Sequence, residues 1–498
     1  MAGLRWNWGV RRLRQGPCRR RVGHPDCSLY ARFHERVVRP REPRGAGADA
    51  CIALMAELVR IGAGAGYSGD RIDPAQALAE HGRLDVLVFE CLAERTIALA
   101  QLRRSREPDH GYDPLLEARL RAVLPACVRH GVTVVTNMGA ANPLAAGRAA
   151  VGVARELGLP LRVAVVEGDD VLAWVQANDP ALMEGGGRAS SLGPLVSANA
   201  YLGADALLPA LESGAGLVVT GRVADPALFL APLMHAFGWR ADDWPRLGQG
   251  ILVGHLLECA AQVSGGYIAD PGRFDVPDLH DVGFPLAEVD ESGRAVITKL
   301  PGTGGRVDRL TCTAQLLYEI GDPARYLQPD VVADFSRVRF NELGPDRVQA
   351  EGADGTVRPD ALKATLGWRD GWIGEGQISY AGPGARERGE LALSVLAQRL
   401  ERLGLGRRER RAESVGVNAM HGPRRGTDRV PYEVRLRLAV RCASRDEAER
   451  VGQEVEALYL NGPASGGGVT QSVREVIAAA SVLVPRSAVN PSVQLLEA

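Results

Sequence analysis

Short apolar runs, mostly β-branched, recur along the first half of the chain, and each stops at a polar loop. Leu58–Ile61 ends in Gly62–Arg71, Asp85–Phe89 in Glu90, Val132–Thr136 in Asn137–Pro143, Leu161–Val166 in Glu167–Asp170, and Leu217–Thr220 in Gly221–Pro226. Amphipathic helical stretches follow most of them, which predicts βα units and a parallel sheet. Asp73-Pro74, Asp113-Pro114 and Asn142-Pro143 each offer a capping side chain and a proline for the first helical turn. They open helices expected to reach Glu80, Arg129 and Glu156. Ala204–Leu211, Pro226–Phe237, Trp244–Val263 and Asp308–Ile320 read as further helices, and Ala295–Leu300 as a strand before the Pro301–Gly305 turn.

After Asp334 the period changes. Strands within Ala361–Tyr380, Ala412–Asn418, Tyr432–Cys442 and Ser472–Val484, with helices at Ala385–Leu403 and Arg445–Tyr459, give the order β-α-β-β-α-β of ferredoxin-like units. The expected class is α/β: a largely parallel sheet over 55–334, then a ferredoxin-like α+β domain over 335–498. A TIM-like closed sheet is the alternative, and the long helical region after Trp244 counts against it. Residues 1–54 stand apart, with Arg11-Arg12, Arg19–Arg21 and Arg39–Arg44 among Pro and Gly and no hydrophobic period. They read as an over-extended reading frame, a disordered tail or a targeting segment, with Met55 a plausible start.

Composition narrows the function classes. Apolar content of 46% and charged content of 24% are ordinary for a globular protein, and a net charge of −1 gives nucleic acid no electrostatic grip. No run has the apolar length of a membrane span. Eight cysteines without Cys-x-x-Cys spacing argue against structural zinc or a disulfide framework, and fit a reducing cytoplasm. Only two lysines, Lys299 and Lys363, are available for Schiff-base chemistry.

Ligands of parallel sheets sit outside the carboxyl ends of the strands, so the five loops are the candidate site. Gly64, Gly66, Asp70 and Arg71 lie in a glycine-rich segment that could bring backbone N–H groups to a phosphate, or simply turn tightly. Glu90 leaves a very apolar strand, where desolvation raises a carboxyl pKa and suits proton transfer; a salt bridge to Arg95 or Arg71 is the alternative. Asn137 could orient a carbonyl or oxyanion, whereas Asn142 is first of all a helix cap. Glu167, Asp169 and Asp170 crowd three acids into four residues, which calls for a shared proton, an arginine or a divalent cation. Arg222 and Asp225 either pair with each other or grip a substrate carboxylate. His255 reads as a core histidine, and His421 as a loop residue able to reach the site from the second domain. Asn461–Gly468 is a dense glycine loop. No G-x-S-x-G elbow or H-E-x-x-H is present.

Several phrases also carry a resemblance: Ile61–Ile72, LVFECLAERTIALAQL at 87–102, VVTNMGAANP at 134–143, AVVEGDDVL at 164–172, SANAYLG at 197–203, VTGRVAD at 219–225, Tyr432–Arg435, and LYLNGPASGGGVTQSV at 458–473. From about Val59 onward the chain resembles the acyclic terpene utilisation protein A (AtuA) family. The resemblance implies catabolism of branched or isoprenoid acids as CoA thioesters, and no particular reaction. With the strand-end carboxylates, it leads to an expected hydratase or lyase acting on a small acyl-CoA or branched acid. Expected partners include self-association into a homo-oligomer, but no nucleic acid and no membrane. The alternative is a non-catalytic accessory subunit that binds a CoA-linked intermediate or an acyl-CoA carboxylase.

Overall fold

The computed structural model describes residues 58–422 and 430–498; the expectations for 1–54 and Met55 lie outside them. The β-branched runs form β1 (Val59–Ala65), β2 (Val86–Phe89), β3 (Thr133–Thr136) and β4 (Arg162–Glu167), followed by β5 (Leu195–Ala200) and β6 (Leu217–Thr220). Five of these make a parallel block in the order β1-β2-β3-β6-β4. β4 leaves a gap that β6 then fills, so the connections into and out of this gap bring the ends of β2, β3, β4 and β6 side by side. Ile61, Leu87, Phe89, Val134, Val165 and Val218 are fully buried there, as expected for parallel strands covered on both faces.

The sheet is wider than this block and less parallel than the sequence suggested. β7 (Pro285–Val289) and β8 (Ala295–Lys299) form a hairpin beside β1. β9 (Tyr326–Leu327) and β10 (Val332–Asp334) start a separate three-stranded sheet, while β11 (Arg339–Gly344) and β12 (Arg347–Glu351) extend the large one beyond β8. β13 (Asp354–Thr356) completes the small sheet. All the added pairings of the large sheet are antiparallel, because hairpins need only short turns whereas parallel neighbours need a crossover. The sheet is open, so the TIM-like alternative falls.

The remaining strands are β14 (Ala361–Ala381), β15 (Arg410–Val415), β16 (Glu433–Cys442), β17 (Gly467–Pro485) and β18 (Ser492–Glu497). Four of them form an antiparallel sheet in the order β15-β16-β14-β17, with helices Ala385–Arg402 and Arg445–Glu456 packed on one face. The 21-residue β14 also reaches back to pair with β5. β18 returns to the large sheet and pairs with β4. Strands from both sides of residue 334 therefore share one sheet.

Gly62 and Gly64 lie inside β1 and do not turn the chain. A Cβ on Gly64 would stand 2.7 Å from the Phe89 ring, and one on Gly66 would stand 2.5 Å from the Cys259 backbone. These glycines admit close neighbours; they are not laid out as a phosphate cradle.

Candidate functional site

Glu90 follows the last residue of β2 and is 7% exposed. Its Oε1 accepts from the Leu92 backbone N–H at 2.8 Å and from Asn137 Nδ2 at 3.0 Å, while Asn137 Oδ1 accepts from the Cys91 N–H at 2.7 Å. Asn137, itself fully buried, thus orients Glu90 through one of its two amide hydrogens. Burial, then the nearby Asp225 charge, raises the Glu90 carboxyl to about 8. With two donors on Oε1, the acid proton belongs on Oε2, which has no partner among the described residues.

Arg222, at the end of β6, is fully buried. It donates to the Leu92 carbonyl, to the Val223 carbonyl (Nε 3.1 Å, Nη2 2.8 Å) and to Asp225, and its guanidinium carbon stacks 4.2 Å from the centre of the Tyr201 ring. Most of its fork is used inside the protein, so the pairing with Asp225 holds and little is left to grip a substrate carboxylate. Asp225 keeps 38% of its side chain exposed. Burial raises its pKa against the pull of Arg222. The expected salt bridge from Glu90 to Arg95 or Arg71 does not form; Arg71 pairs with Asp73 at the surface.

The three acids after β4 separate. Asp169 turns inward and accepts from the Arg222 N–H at 2.9 Å and Asn199 Nδ2 at 2.8 Å; burial raises it to about 6. Asp170 caps the Leu172 N–H at 3.0 Å. Glu167 accepts from Gln494 Nε2 on β18 at 2.7 Å. Glu167 closes β4, the turn at Gly168 (φ +111°) sends Asp169 inward and Asp170 serves as a cap, so the three side chains do not converge. Among the described residues no group of three or more His, Cys, Asp or Glu side chains could hold a metal ion.

Other candidates are structural where they lie. Asp70 accepts from the N–H groups of Gly66 and Arg71, both at 2.9 Å, and closes its own loop. The buried Arg119 clamps that loop through the Ser68 carbonyl at 2.9 Å. Asn142 caps its helix through the Ala145 N–H and donates to the Pro108 and His110 carbonyls. His421 is exposed in the β15–β16 connection, whose strand end pairs with Ala381. That is the end of β14 opposite Lys363, roughly 60 Å along the strand at ~3.3 Å per residue, so His421 does not join the site.

Residues that sequence reasoning passed over complete the arrangement. Glu94, on the first turn of helix Glu94–Arg106, accepts from the Tyr201 hydroxyl at 2.7 Å and from Lys363 Nζ at 3.1 Å. Burial alone would raise Glu94, but Lys363, Tyr201 and Arg222 together hold it at about 2. Lys363 also lies 4.9 Å from the Tyr201 ring centre. The scarcity of lysine was the one available signal for it. His255 is a buried helix residue, as expected, but its Nδ1 meets Glu258 at 2.8 Å while Nε2 meets the Leu316 carbonyl at 3.2 Å. That carbonyl only accepts, so Nε2 carries a hydrogen and the pair shares one further proton between Nδ1 and Glu258. Burial pushes Glu258 up to about 7, with the Asp225 charge among the causes that add to it. Cys259 beside it stays a neutral thiol, its pKa raised by burial, and is a poor nucleophile.

What gathers at this edge is a buried acid with a raised pKa, a second carboxyl paired with a buried arginine, and a Lys–Glu–Tyr cluster. A separate cleft of about 50 Å³ between Asp73 and Thr303 has room for little more than water and none of these groups. The sequence pattern of the family described as acyclic terpene utilisation family protein AtuA matches residues 59–495. No curated protein and no solved structure matches the chain.

Proposed function

The chain belongs to the acyclic terpene utilisation AtuA family, and from that premise we propose an acid–base enzyme of the hydratase or lyase type, acting on a branched acid or its acyl-CoA. Glu90 is the general acid and Asp225 the general base. In the hydration direction a water proton passes to Asp225 and the hydroxide adds to the substrate's β-carbon. The proton on Glu90 Oε2 goes to the α-carbon. Exchange between the two neighbouring carboxyls then restores the starting state, and elimination runs the same steps backwards. Lys363, which keeps N–H groups beyond the one given to Glu94, polarises the substrate carbonyl oxygen, while the Tyr201 hydroxyl holds Glu94 in place. A charged hydrogen bond there supports the charge that develops in the transition state.

The observation that carries this reading is an acid with a raised pKa facing away from its two fixed donors, next to a second carboxyl, Asp225, in ion-pair contact with Arg222. A carboxyl raised by burial beside one whose oxygen an arginine holds is an arrangement suited to an acid–base pair. We read the four-stranded unit as ferredoxin-like, with β14 delivering Lys363. The free cysteines fit a cytoplasmic setting. The test follows hydration of a branched enoyl-CoA through loss of its conjugated absorbance. Wild type turns over, whereas Glu90→Gln and Asp225→Asn each lose at least ~10²-fold in kcat, the scale of acid–base catalysis. Full activity in Glu90→Gln sinks the assignment. Tight binding without turnover in wild type would favour the accessory-subunit alternative.

A further inference from the structure

On the four-stranded sheet, Ile378, Tyr380, Leu436 and Leu438 pack beneath the helices. Strand alternation therefore turns Glu375, Gln377, Ser379, Arg435 and Arg437 to the opposite face. Two carboxylates on that face, Glu375 and Glu413, are both taken by Arg437, at 2.6 and 3.0 Å. Among the described residues Arg435 meets only neutral acceptors. Its Nε donates to Gln377 Oε1 at 2.6 Å, Nη1 to Ser379 Oγ at 3.0 Å and the Gly468 carbonyl at 3.1 Å, and Nη2 to Thr470 Oγ1 at 2.9 Å. Gln377 donates its own amide to Glu375 at 2.8 Å, which fixes its oxygen on Arg435. Among the described residues no carboxylate oxygen lies within 4.0 Å of this guanidinium, and Glu433, two residues back along β16, makes no ion pair with it.

The loop is shaped to this side chain. Gly468 adopts φ +66°, a left-handed turn that favours glycine and aims its carbonyl at Arg435 Nη1 at 3.1 Å. A cation held by neutral groups keeps its charge uncompensated. Hydroxyls that accept from it direct their own O–H elsewhere, so Ser379 and Thr470 are left as donors beside the unused Nη2 hydrogen. One fixed positive charge with convergent donors on separate strands suits a tetrahedral oxyanion.

We infer that Arg435, Ser379 and Thr470 form a binding site for the phosphate group of a small molecule. Ser379 stands 16 residues beyond Lys363 on β14, and none of the hydrogen bonds of Arg435 reaches the acid–base cluster, so the inference does not rest on that cluster. Titration calorimetry of inorganic phosphate into the full chain tests it. One site with a dissociation constant on the order of millimolar is expected, unchanged in Glu90→Gln. Arg435→Gln should weaken it at least ~10-fold, the loss of about one charged hydrogen bond. The double variant Ser379→Ala/Thr470→Val, which keeps the arginine, should weaken it roughly 3- to 10-fold, and decides the matter if Arg435→Gln does not fold. AMP should bind at least as well as inorganic phosphate. Absence of binding by wild type, equal affinity in the variants, or exclusion of AMP would each overturn the inference.

Discussion

Replacing Glu90 by Gln separates a protonated acid from a carboxylate paired with Arg222, because Gln copies the neutral form and keeps the oxygen that Leu92 and Asn137 contact. The carboxyl has an ordinary value of 4.5 and is raised to about 8 in the fold. Between these limits the unfolded chain has lost the proton that the folded chain still holds, so wild-type stability falls as pH rises. Each unit costs about 1.4 kcal/mol. The Gln variant carries no such cost. It should equal wild type near pH 4.5 and exceed it by about 3 kcal/mol at pH 7, with the gap levelling off above pH 8. Asp169, Glu258 and Asp330 are raised as well and tilt the curves of both proteins alike, so the difference reports Glu90 together with its effect on Asp225. Urea unfolding of both proteins at half-unit steps from pH 4.5 to 8.5 supplies the measurement. A difference of the opposite sign, with Gln becoming the less stable protein as pH rises, would mean an ionised Glu90 held by Arg222 and would refute the proton assignment.

Arg222→Lys should cost about 1–3 kcal/mol, since it keeps the charge but strands the buried Leu92 and Val223 carbonyls; an unchanged unfolding midpoint in urea would contradict this. Gly64→Ala drives a methyl against the Phe89 ring and should lose about 1–3 kcal/mol by the same assay. Asp169→Asn should keep or raise thermal stability at pH 8, because burial raises this carboxyl to about 6; a large drop would show a carboxylate essential to the loop. Glu94→Gln should lose the acid-limb stability that a carboxyl held at about 2 confers, which is present above its ordinary value of 4.5 and fades as pH falls toward 2. Acid titration followed by circular dichroism reads it.

The strands that sequence located well, β2, β3, β4 and β6, are those where apolar β-branched residues fill both faces. Asn142 could be read as a cap because its bond is local. β5, with the sequence LVSANA, lacks that signal; its extension comes from pairing with β14, far away in sequence. The glycines that continue β1 argue locally for a turn, and only the contacts with Phe89 and Cys259 explain the strand. The site divides in the same way. Glu90, Asn137, Asp169, Arg222 and Asp225 sit at strand ends and converge as that topology requires. Glu94, Tyr201, Glu258 and Lys363 arrive from helices and from the four-stranded sheet, so no local spacing marks them. The crowding of Glu167, Asp169 and Asp170 does not survive folding because β4 ends at Glu167, Gly168 turns the chain at φ +111° and Asp170 caps the next helix.

β18 gives the large sheet a seam that closes late. Gln494 meets Glu167 across 327 positions of chain, and β4, with Val163–Val166 fully buried, has only β6 on its other side. At ~5–20 residues per second of synthesis, the edge of β4 waits on the order of half a minute for its partner. During that interval an apolar strand offers its free backbone groups to any neighbouring chain. Yield in a cell should therefore depend on chaperone supply and growth temperature more steeply than the stability of the finished protein would suggest.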